Sequence, residues 1–227
     1  SKNNKKIFIK NRLNSIRLSG IYLNYINSDN FKISPKLNNL RLSLKKNHIY
    51  GIYGESGSGK TSLLNMLSGF IKPNKGQVFV NEKENNFYDL TKKFKIGYAP
   101  QTPTILDENI IMNTTLSYTN SNEKIKRLKT YLKIFNLKKF INKKYFKNKD
   151  ISSIKSMSGG EKQRIGFIRA IINNPDLILL DEPTASLDKK NEKEIFKFLL
   201  SIKKDKIIVI TSHKEDQKKY FDEIINL

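Results

Sequence analysis

Short apolar runs alternate with amphipathic segments along most of the chain. Three runs of four or five largely apolar residues, Ile49 to Tyr53, Leu177 to Leu180 and Ile207 to Ile210, are typical of strands buried on both faces. Amphipathic stretches such as Asn191 to Ile202 place their apolar residues on one side at helical spacing. Strands that alternate with helices predict an α/β domain with a parallel sheet.

A different pattern precedes the first of these runs. Apolar and polar residues alternate from Ile16 to Tyr25 and again over Leu37 to Leu44, which predicts two strands that are buried on one face. Gln77 to Val80 and Ile96 to Ala99 are two further short strands. The second of them ends just before Gln101.

The pattern of apolar and polar residues changes again between Thr102 and about Met157. Lys124 to Phe135 carries an apolar stripe at helical spacing and a basic opposite face, which predicts a mainly helical insertion. We therefore divide the chain into a basic tail or linker (1–16), a first part of the core (17–101), a helical subdomain (102–157) and the rest of the core (158–227).

Composition narrows the possible classes of protein. The 227 residues include no cysteine, which excludes disulfides and argues against a structural zinc site. No run of 18 apolar residues and no secretion signal is visible, so we expect a cytosolic setting. The formal charge of +22 would attract nucleic acid or an anionic membrane surface. We expect compositional bias with membrane proximity, and no nucleic-acid partner.

The segment Gly54 to Thr61 matches G-x-x-x-x-G-K-[ST], the phosphate-binding loop, and lies between a predicted strand and a predicted helix. Its glycines let backbone N–H groups surround a triphosphate, and the following helix directs its positive end to the same place. Lys60 provides a cation for the β- and γ-phosphates, and the Thr61 hydroxyl is a ligand for Mg²⁺. The predicted ATP-binding residues are Gly54, Glu55, Ser56, Gly57, Ser58, Gly59, Lys60, Thr61 and Ser62.

Two carboxylates, Asp181 and Glu182, follow the buried run that ends at Leu180. Ligands bind at the carboxyl ends of strands in open α/β sheets. Asp181 is therefore a candidate for holding Mg²⁺, directly or through water, and Glu182 for deprotonating an attacking water.

A further motif makes the chain resemble a known family. Ser158 to Arg164, a short helix upstream of Asp181, resembles the signature sequence of the ATP-binding cassette (ABC) family, the nucleotide-binding domains of ABC transporters. Gln101, the stretch Ser186 to Asp188 and His213 follow that family's order. The resemblance covers roughly residues 17–227.

The resemblance implies a role for each matched position. Gln101 would contact Mg²⁺ and the transport partner, Asp188 would pass between two subunits, and His213 would contact the γ-phosphate and the attacking water. The signature residues would contact ATP bound to a second subunit; they are Ser158, Gly159, Gly160 and Glu161. Members of the family often have Gln where Glu161 stands here.

The family also stacks adenine on an aromatic residue that precedes the phosphate loop. Tyr25 is our candidate, because the pattern Tyr22 to Tyr25 comes before a loop. Tyr22 and Phe31 are alternatives, and Tyr25 as a plain sheet residue is a third possibility.

The implied fold is a P-loop NTPase with a mostly parallel sheet, a small antiparallel β subdomain and a helical insertion. The implied function is an ATPase that binds ATP and Mg²⁺ and is coupled to transport, with Glu182, His213 and Lys60 as catalytic residues. Its partners would be a transmembrane domain, in the same or a separate chain, and a second nucleotide-binding domain, identical or not. The setting would be the cytoplasmic face of a membrane.

Within the family, the segment Ile105 to Ile110 resembles exporters more than importers. A non-transport ABC ATPase that acts on nucleic acid or ribosomes is the alternative, and the basic charge is its best support. A regulatory clamp with weak hydrolysis is a third possibility, against which Glu182 and His213 argue.

Overall fold

The computed structural model describes residues 12–26, 33–85, 89–142, 146, 154 and 156–227. The predicted tail at residues 1–11 lies outside this part of the chain. The strands are β1 Ser15–Ile26, β2 Ile33–Lys45, β3 His48–Tyr53, β4 Lys75–Val80, β5 Lys83–Asn85, β6 Ile96–Ala99, β7 Leu177–Asp181, β8 Ile207–Thr211 and β9 Glu223–Asn226. The α-helices of the described ranges are α1 Lys60–Leu67, α2 Asp89–Lys93, α3 Ile110–Thr115, α4 Asn122–Ile134, α5 Gly159–Ile171 and α6 Lys189–Ile202.

A five-stranded parallel sheet lies at the centre, in the order β6-β7-β8-β3-β9. All residues of β7 and of β8 are buried, because helices cover both faces of the sheet, as the continuous apolar runs predicted. The carboxyl ends of β3, β6, β7 and β8 lead directly into the segments that carry the predicted chemistry. The parallel sheet is therefore confirmed.

A second sheet of four antiparallel strands has the order β2-β1-β4-β5. Ile16 pairs with Leu44 on one side and with Val80 on the other, and all three side chains are buried. The small antiparallel β subdomain is thus confirmed. Strand β1 begins at Ser15, and Leu13 is already buried, so the predicted boundary at residue 16 falls inside this sheet.

Helices α3 and α4 and a 3₁₀ turn at Lys138–Ile141 occupy the predicted insertion. The stripe of α4 is buried through Leu128 and Leu132, as its periodicity predicted. The rest of the predicted subdomain, 143–145, 147–153 and 155, lies outside the described residues. No helix within the described ranges is long and apolar enough to cross a bilayer.

Helix α5 lies very close to the edge strand β6. A Cβ atom on Gly97 would collide with the backbone carbonyl of Ala170, and a Cβ on Gly166 would collide with the ring of Pro103. Arg169 of the same helix donates to the backbone carbonyls of Asn113 and Thr104. These contacts fix α5 against β6, the turn after Gln101 and the insertion.

Candidate nucleotide-binding and hydrolysis site

The phosphate loop connects the end of β3 to the start of α1. Gly57 and Gly59 have φ angles of 84° and 105°, a region that favours glycine. These conformations allow the loop to turn tightly between β3 and α1. Lys60 Nζ donates to the carbonyls of Gly54 and Glu55, at 2.8 Å each. The buried hydroxyl oxygen of Ser58 has no hydrogen-bond partner. The loop therefore offers a cation and an unused hydroxyl beside the positive end of α1.

Asp181 is buried at the end of β7 and is held by two hydroxyl groups. Thr61 Oγ1 donates to one carboxylate oxygen at 2.8 Å, and Thr211 Oγ1 donates to the other at 2.6 Å. The hydrogen bond from Thr61 joins the end of the phosphate loop to the carboxyl end of β7. Burial and the nearby Asp181 carboxylate together raise the pKa of Tyr98 to about 12, so this phenol stays neutral beside the site.

Glu182 follows Asp181 and has every polar group engaged. Its backbone N–H donates to Thr211 Oγ1 at 2.9 Å. Gln101 Nε2 donates to one carboxylate oxygen at 2.9 Å, and His213 Nε2 lies 2.6 Å from the other. Three strand ends, those of β6, β7 and β8, thus bring Gln101, Glu182 and His213 together, because the carboxyl ends of parallel strands meet at one edge of the sheet.

An open cavity of about 330 Å³ lies between the loop and these three side chains. Its lining is mainly polar and combines residues of the phosphate loop with Gln101, Glu182 and His213. The lining residues are Ser56, Gly57, Gly59, Lys60, Thr61, Ser62, Gln101, Glu182 and His213.

The signature residues lie elsewhere, at the start of α5. Ser158 is the N-cap: its hydroxyl accepts from the Glu161 N–H, and the Glu161 carboxylate accepts from the Ser158 N–H. Burial raises the pKa of Glu161, but hydrogen bonds from Lys139 and from the Ser158 N–H outweigh it, so the pKa is lowered overall. Ser158 and Gly159 are exposed, and none of the signature residues lines the cavity.

Asp188 is the N-cap of α6 and is also outside the cavity. Its carboxylate accepts from the Asn191 N–H at 2.8 Å and from the Asn191 side chain at 2.7 Å, and these bonds lower its pKa. The segment from Glu182 to Asp188 therefore runs from the cavity to the start of α6.

The adenine-stacking residue stays a prediction. The backbone of Tyr25 pairs with Ser34 in the antiparallel sheet, but the Tyr25 side chain lies outside the described part of the molecule. Phe31 lies outside it as well. Tyr22 is half-buried and its backbone pairs with Lys75.

Sequence reasoning missed the residues that hold the others in place. Thr211 bonds to both Asp181 and Glu182, and Gln163 bonds to the backbone of Glu182 and Ser186. Lys214 Nζ donates to the Thr184 carbonyl and to buried Glu192. The available signal was that these polar residues lie beside a motif or directly after an apolar strand. Their hydrogen-bond partners are far away in the chain, so the sequence did not show which groups they hold.

Comparison with known proteins decides the family. The model of the family described as ABC transporter matches residues 37–185, about two thirds of the chain. The chain belongs to the ABC transporter family. The matched region contains the phosphate loop, Gln101, the signature and both carboxylates.

Relatives of this ABC transporter protein include separate ATP-binding subunits and larger fusions. A probable ABC transporter ATP-binding/permease protein of Haemophilus influenzae is 34% identical over 84% of this chain and 35% of its own length. The lipoprotein-releasing system ATP-binding protein LolD of Buchnera aphidicola is 34% identical over 85% of each chain. The chain thus spans about a third of the fused relative and most of the separate one.

Solved structures show the same fold. The ATP-binding cassette MJ0796, a dimer in a post-hydrolysis state bound to ADP and Pi, superposes with a TM-score of 0.75 at 27% identity and covers 93% of this chain and 94% of its own. A bacterial Atm1-family ABC exporter with ATP bound superposes with a TM-score of 0.80 at 21% identity, covering 100% of this chain and 39% of its own, which shows the fold alone.

The P-loop NTPase fold and the family resemblance are therefore confirmed. The chain contains an ATP-binding cassette of the ABC transporter family. Relatives named for export and for import both match, among them a putative export ATP-binding/permease protein of Rickettsia typhi at 30% identity.

Proposed function

We propose that this ABC transporter chain binds MgATP in the cavity above the phosphate loop, pairs with a second ATP-binding cassette around two nucleotides, and drives a membrane-spanning partner. The partner domain belongs to the same or a separate chain, and the cassettes work on the cytoplasmic face of the membrane. The observation that carries the proposal is the Glu182 carboxylate, which Gln101 and His213 hold at the wall of the cavity.

ATP binding rests on the loop. The triphosphate takes hydrogen bonds from loop N–H groups and the unpartnered Ser58 hydroxyl. Lys60 Nζ exchanges its two carbonyl partners for phosphate oxygens and remains within reach of the loop. Tyr25 stacks on the adenine.

The residues present fit a magnesium ion. Thr61 and Asp181 offer a hydroxyl and a carboxylate whose oxygens are 2.8 Å apart, and Gln101 adds an amide. Mg²⁺ prefers one or two such ligands together with substrate phosphates and water. When bound, the ion neutralises charge on the phosphates.

Hydrolysis follows from the position of Glu182. A water oxygen attacks the γ-phosphorus while the bond from that phosphorus to the β–γ bridging oxygen breaks, which yields ADP and phosphate. The Glu182 carboxylate accepts the proton that the water loses. His213, 2.6 Å from the same carboxylate, orients the water, and Lys60 stabilises the negative charge of the transferring group.

A second cassette completes each site. Ser158 to Glu161 lie at an exposed helix start, a favourable position for contacting the γ-phosphate on a partner chain. Asp188, exposed at the start of α6, lies between the two subunits. The dimeric state of the similar cassette MJ0796 supports this arrangement.

Coupling to the membrane partner passes through Gln101 and the insertion. Leu116 and Tyr118 are 55% and 76% exposed there, so they offer an apolar surface for the partner. Arg169 connects the same insertion to α5, which carries the signature. Movement of the partner surface is thereby transmitted to the nucleotide site.

The test is ATP-dependent dimerisation of Glu182→Gln, measured by size-exclusion chromatography with Mg²⁺ removed and restored. We expect hydrolysis to fall at least about 100-fold because the proton acceptor is lost. We also expect a dimer with ATP that dissociates with ADP.

Lys60→Ala in the same background is the control, and it should prevent the ATP-induced dimer. Tight ATP binding by Glu182→Gln without a dimer at any concentration would contradict pairing of two copies of this chain. Full hydrolysis by Glu182→Gln would exclude Glu182 as the base.

A further inference from the structure

Gln163 lies in the second turn of α5 and is 5% exposed. Its side-chain nitrogen donates to the Glu182 carbonyl at 3.1 Å, and its side-chain oxygen accepts from the Ser186 N–H at 3.0 Å. One buried amide therefore uses both of its ends to connect α5 to two points of the segment that leaves the cavity. A buried amide that spans two elements in this way specifies their relative position.

The backbone of Glu182 is the part that needs to be held. Its φ angle is 45°, a left-handed conformation that costs a residue other than glycine about 1–3 kcal/mol. The N–H is bonded to Thr211, and the carbonyl accepts from Gln163 and from the Ala185 N–H. Because these bonds lie on both sides of the Cα, they set the direction in which the carboxylate leaves the backbone.

The first turn of α5 touches the same segment at a second point. A Cβ on Gly160 would lie 3.0 Å from the Ser186 carbonyl oxygen and 3.3 Å from a methyl group of Leu187. The signature turn and the segment after Glu182 are thus in direct contact. A shift of the helix start would be passed to the peptide that carries Glu182.

We propose that Gln163 is a positioning residue for Glu182, through which the signature helix holds the general base in its productive orientation. The inference rests on the proposed role of Glu182 in hydrolysis. Gln163 orients the Glu182 of its own protomer. In the proposed pair, the start of the same helix contacts the nucleotide that is bound to the other protomer.

Two variants of the full chain test the proposal. Gln163→Met keeps the length of the side chain and removes both hydrogen bonds. Gln163→Glu keeps an acceptor for the Ser186 N–H and, in its ionised form, loses the donor to the Glu182 carbonyl. We expect both to lower the kcat of ATP hydrolysis about 10- to 100-fold, because small misplacements of a catalytic group cost this much, with KM within about threefold of the wild type.

Leu199→Ala is the matched control for stability. Leu199 is buried in α6, is distant from Gln163 in the chain and is not one of the residues that line the cavity. The truncation destabilises the fold by about 2–5 kcal/mol. Measured below its melting temperature, it should keep the kcat of the wild type, which shows that lost stability alone does not slow hydrolysis.

A second readout separates positioning from misfolding. Gln163→Met combined with Glu182→Gln should still form the ATP-induced dimer, because the phosphate loop and the signature are intact. A wild-type kcat in Gln163→Met, a raised KM with unchanged kcat, or an equal loss in Leu199→Ala would overturn the proposal. Full hydrolysis by Glu182→Gln alone would instead overturn the proposed function.

Discussion

The phosphate-loop region and the signature region differ in how their functional groups are held. Around the loop, Asp181 and Glu182 are bonded to side chains from α1, from β8 and from the segments that follow β6 and β8. At the signature, Ser158 and Glu161 bond mainly to each other, and the helix start faces outward. The first region is preorganised within the chain. The second is a stable surface whose proposed ligand is bound by another chain.

Lys60→Ala tests the first region and has the largest expected effect. Removing a buried, hydrogen-bonded charge from its partner phosphates costs about 2–5 kcal/mol, so ATP affinity should fall at least about 30-fold. Calorimetric titration with ATP in the presence of Mg²⁺ measures it. Lys60→Arg, which keeps the charge, is the control, and unchanged affinity in Lys60→Ala would contradict the assignment.

Thr211→Val tests how the same region is held together. The change keeps the shape of the side chain but leaves Asp181 without one hydrogen bond and the Glu182 N–H without its partner. We expect a loss of about 1–3 kcal/mol in the free energy of unfolding, measured by denaturant titration.

Thr114→Val is the matched control for Thr211→Val. The Thr114 hydroxyl is also buried, but it bonds only to carbonyls of its own helix. It should cost less than Thr211→Val. Equal losses would mean that Thr211 has no special part in holding the carboxylates.

Ser158→Ala tests the signature region. Loss of an N-cap costs about 1 kcal/mol of stability, and we expect ATP binding to one chain to persist while the hydrolysis rate falls about tenfold through a weaker pair of cassettes. ATPase assays together with thermal unfolding measure both quantities.

Ser121→Ala is the control for the signature variant, because Ser121 caps α4 with the same hydrogen bond, to the Lys124 N–H, outside the proposed dimer surface. It should lose similar stability and keep its hydrolysis rate. Equal loss of activity in both variants would remove the functional distinction between the two helix caps.

Glu161→Gln has the smallest expected effect. The lowered pKa of Glu161 means that its ionised form stabilises the fold above the ordinary pKa of 4.5, and that this contribution disappears as the pH falls through the lower folded-state value. The variant keeps an acceptor for the Ser158 N–H but loses the charge that attracts Lys139. The stability difference from the wild type should be below about 1 kcal/mol at pH 7 and become smaller as the pH falls below 4.5, in thermal unfolding. A difference that does not change with pH in this range would contradict the charge argument.

Local sequence patterns predicted the strands and helices whose own residues show a continuous apolar run or a helical period. The runs that became β7 and β8 are apolar throughout, and the stripe of α4 has a clear helical period. Helix α3 was missed because Ile110–Thr115 is too short to show a period. Strand β9 was missed because four residues become a strand only through pairing with β3.

The residues of the candidate site also fall into two groups, those that local sequence motifs reveal and those that only the fold brings together. Lys60, Asp181 and Glu182 belong to motifs whose chemistry is readable from neighbouring residues. The contacts of Thr211 and Gln163 join residues that are about 20 to 30 positions apart, so only the fold brings them together. The motifs can be recognised in the sequence, but the side chains that orient them are found only in the structure.

The packing of Gly97 provides a marker that an alignment can use. Since no side chain fits between β6 and the Ala170 carbonyl, a homologous chain with any other residue at this position must hold its signature helix farther from the edge strand. Because β6 is the strand that leads to Gln101, the same spacing sets the distance between the signature helix and that strand. A single column can therefore sort relatives by the geometry of their signature helix before any of them is solved.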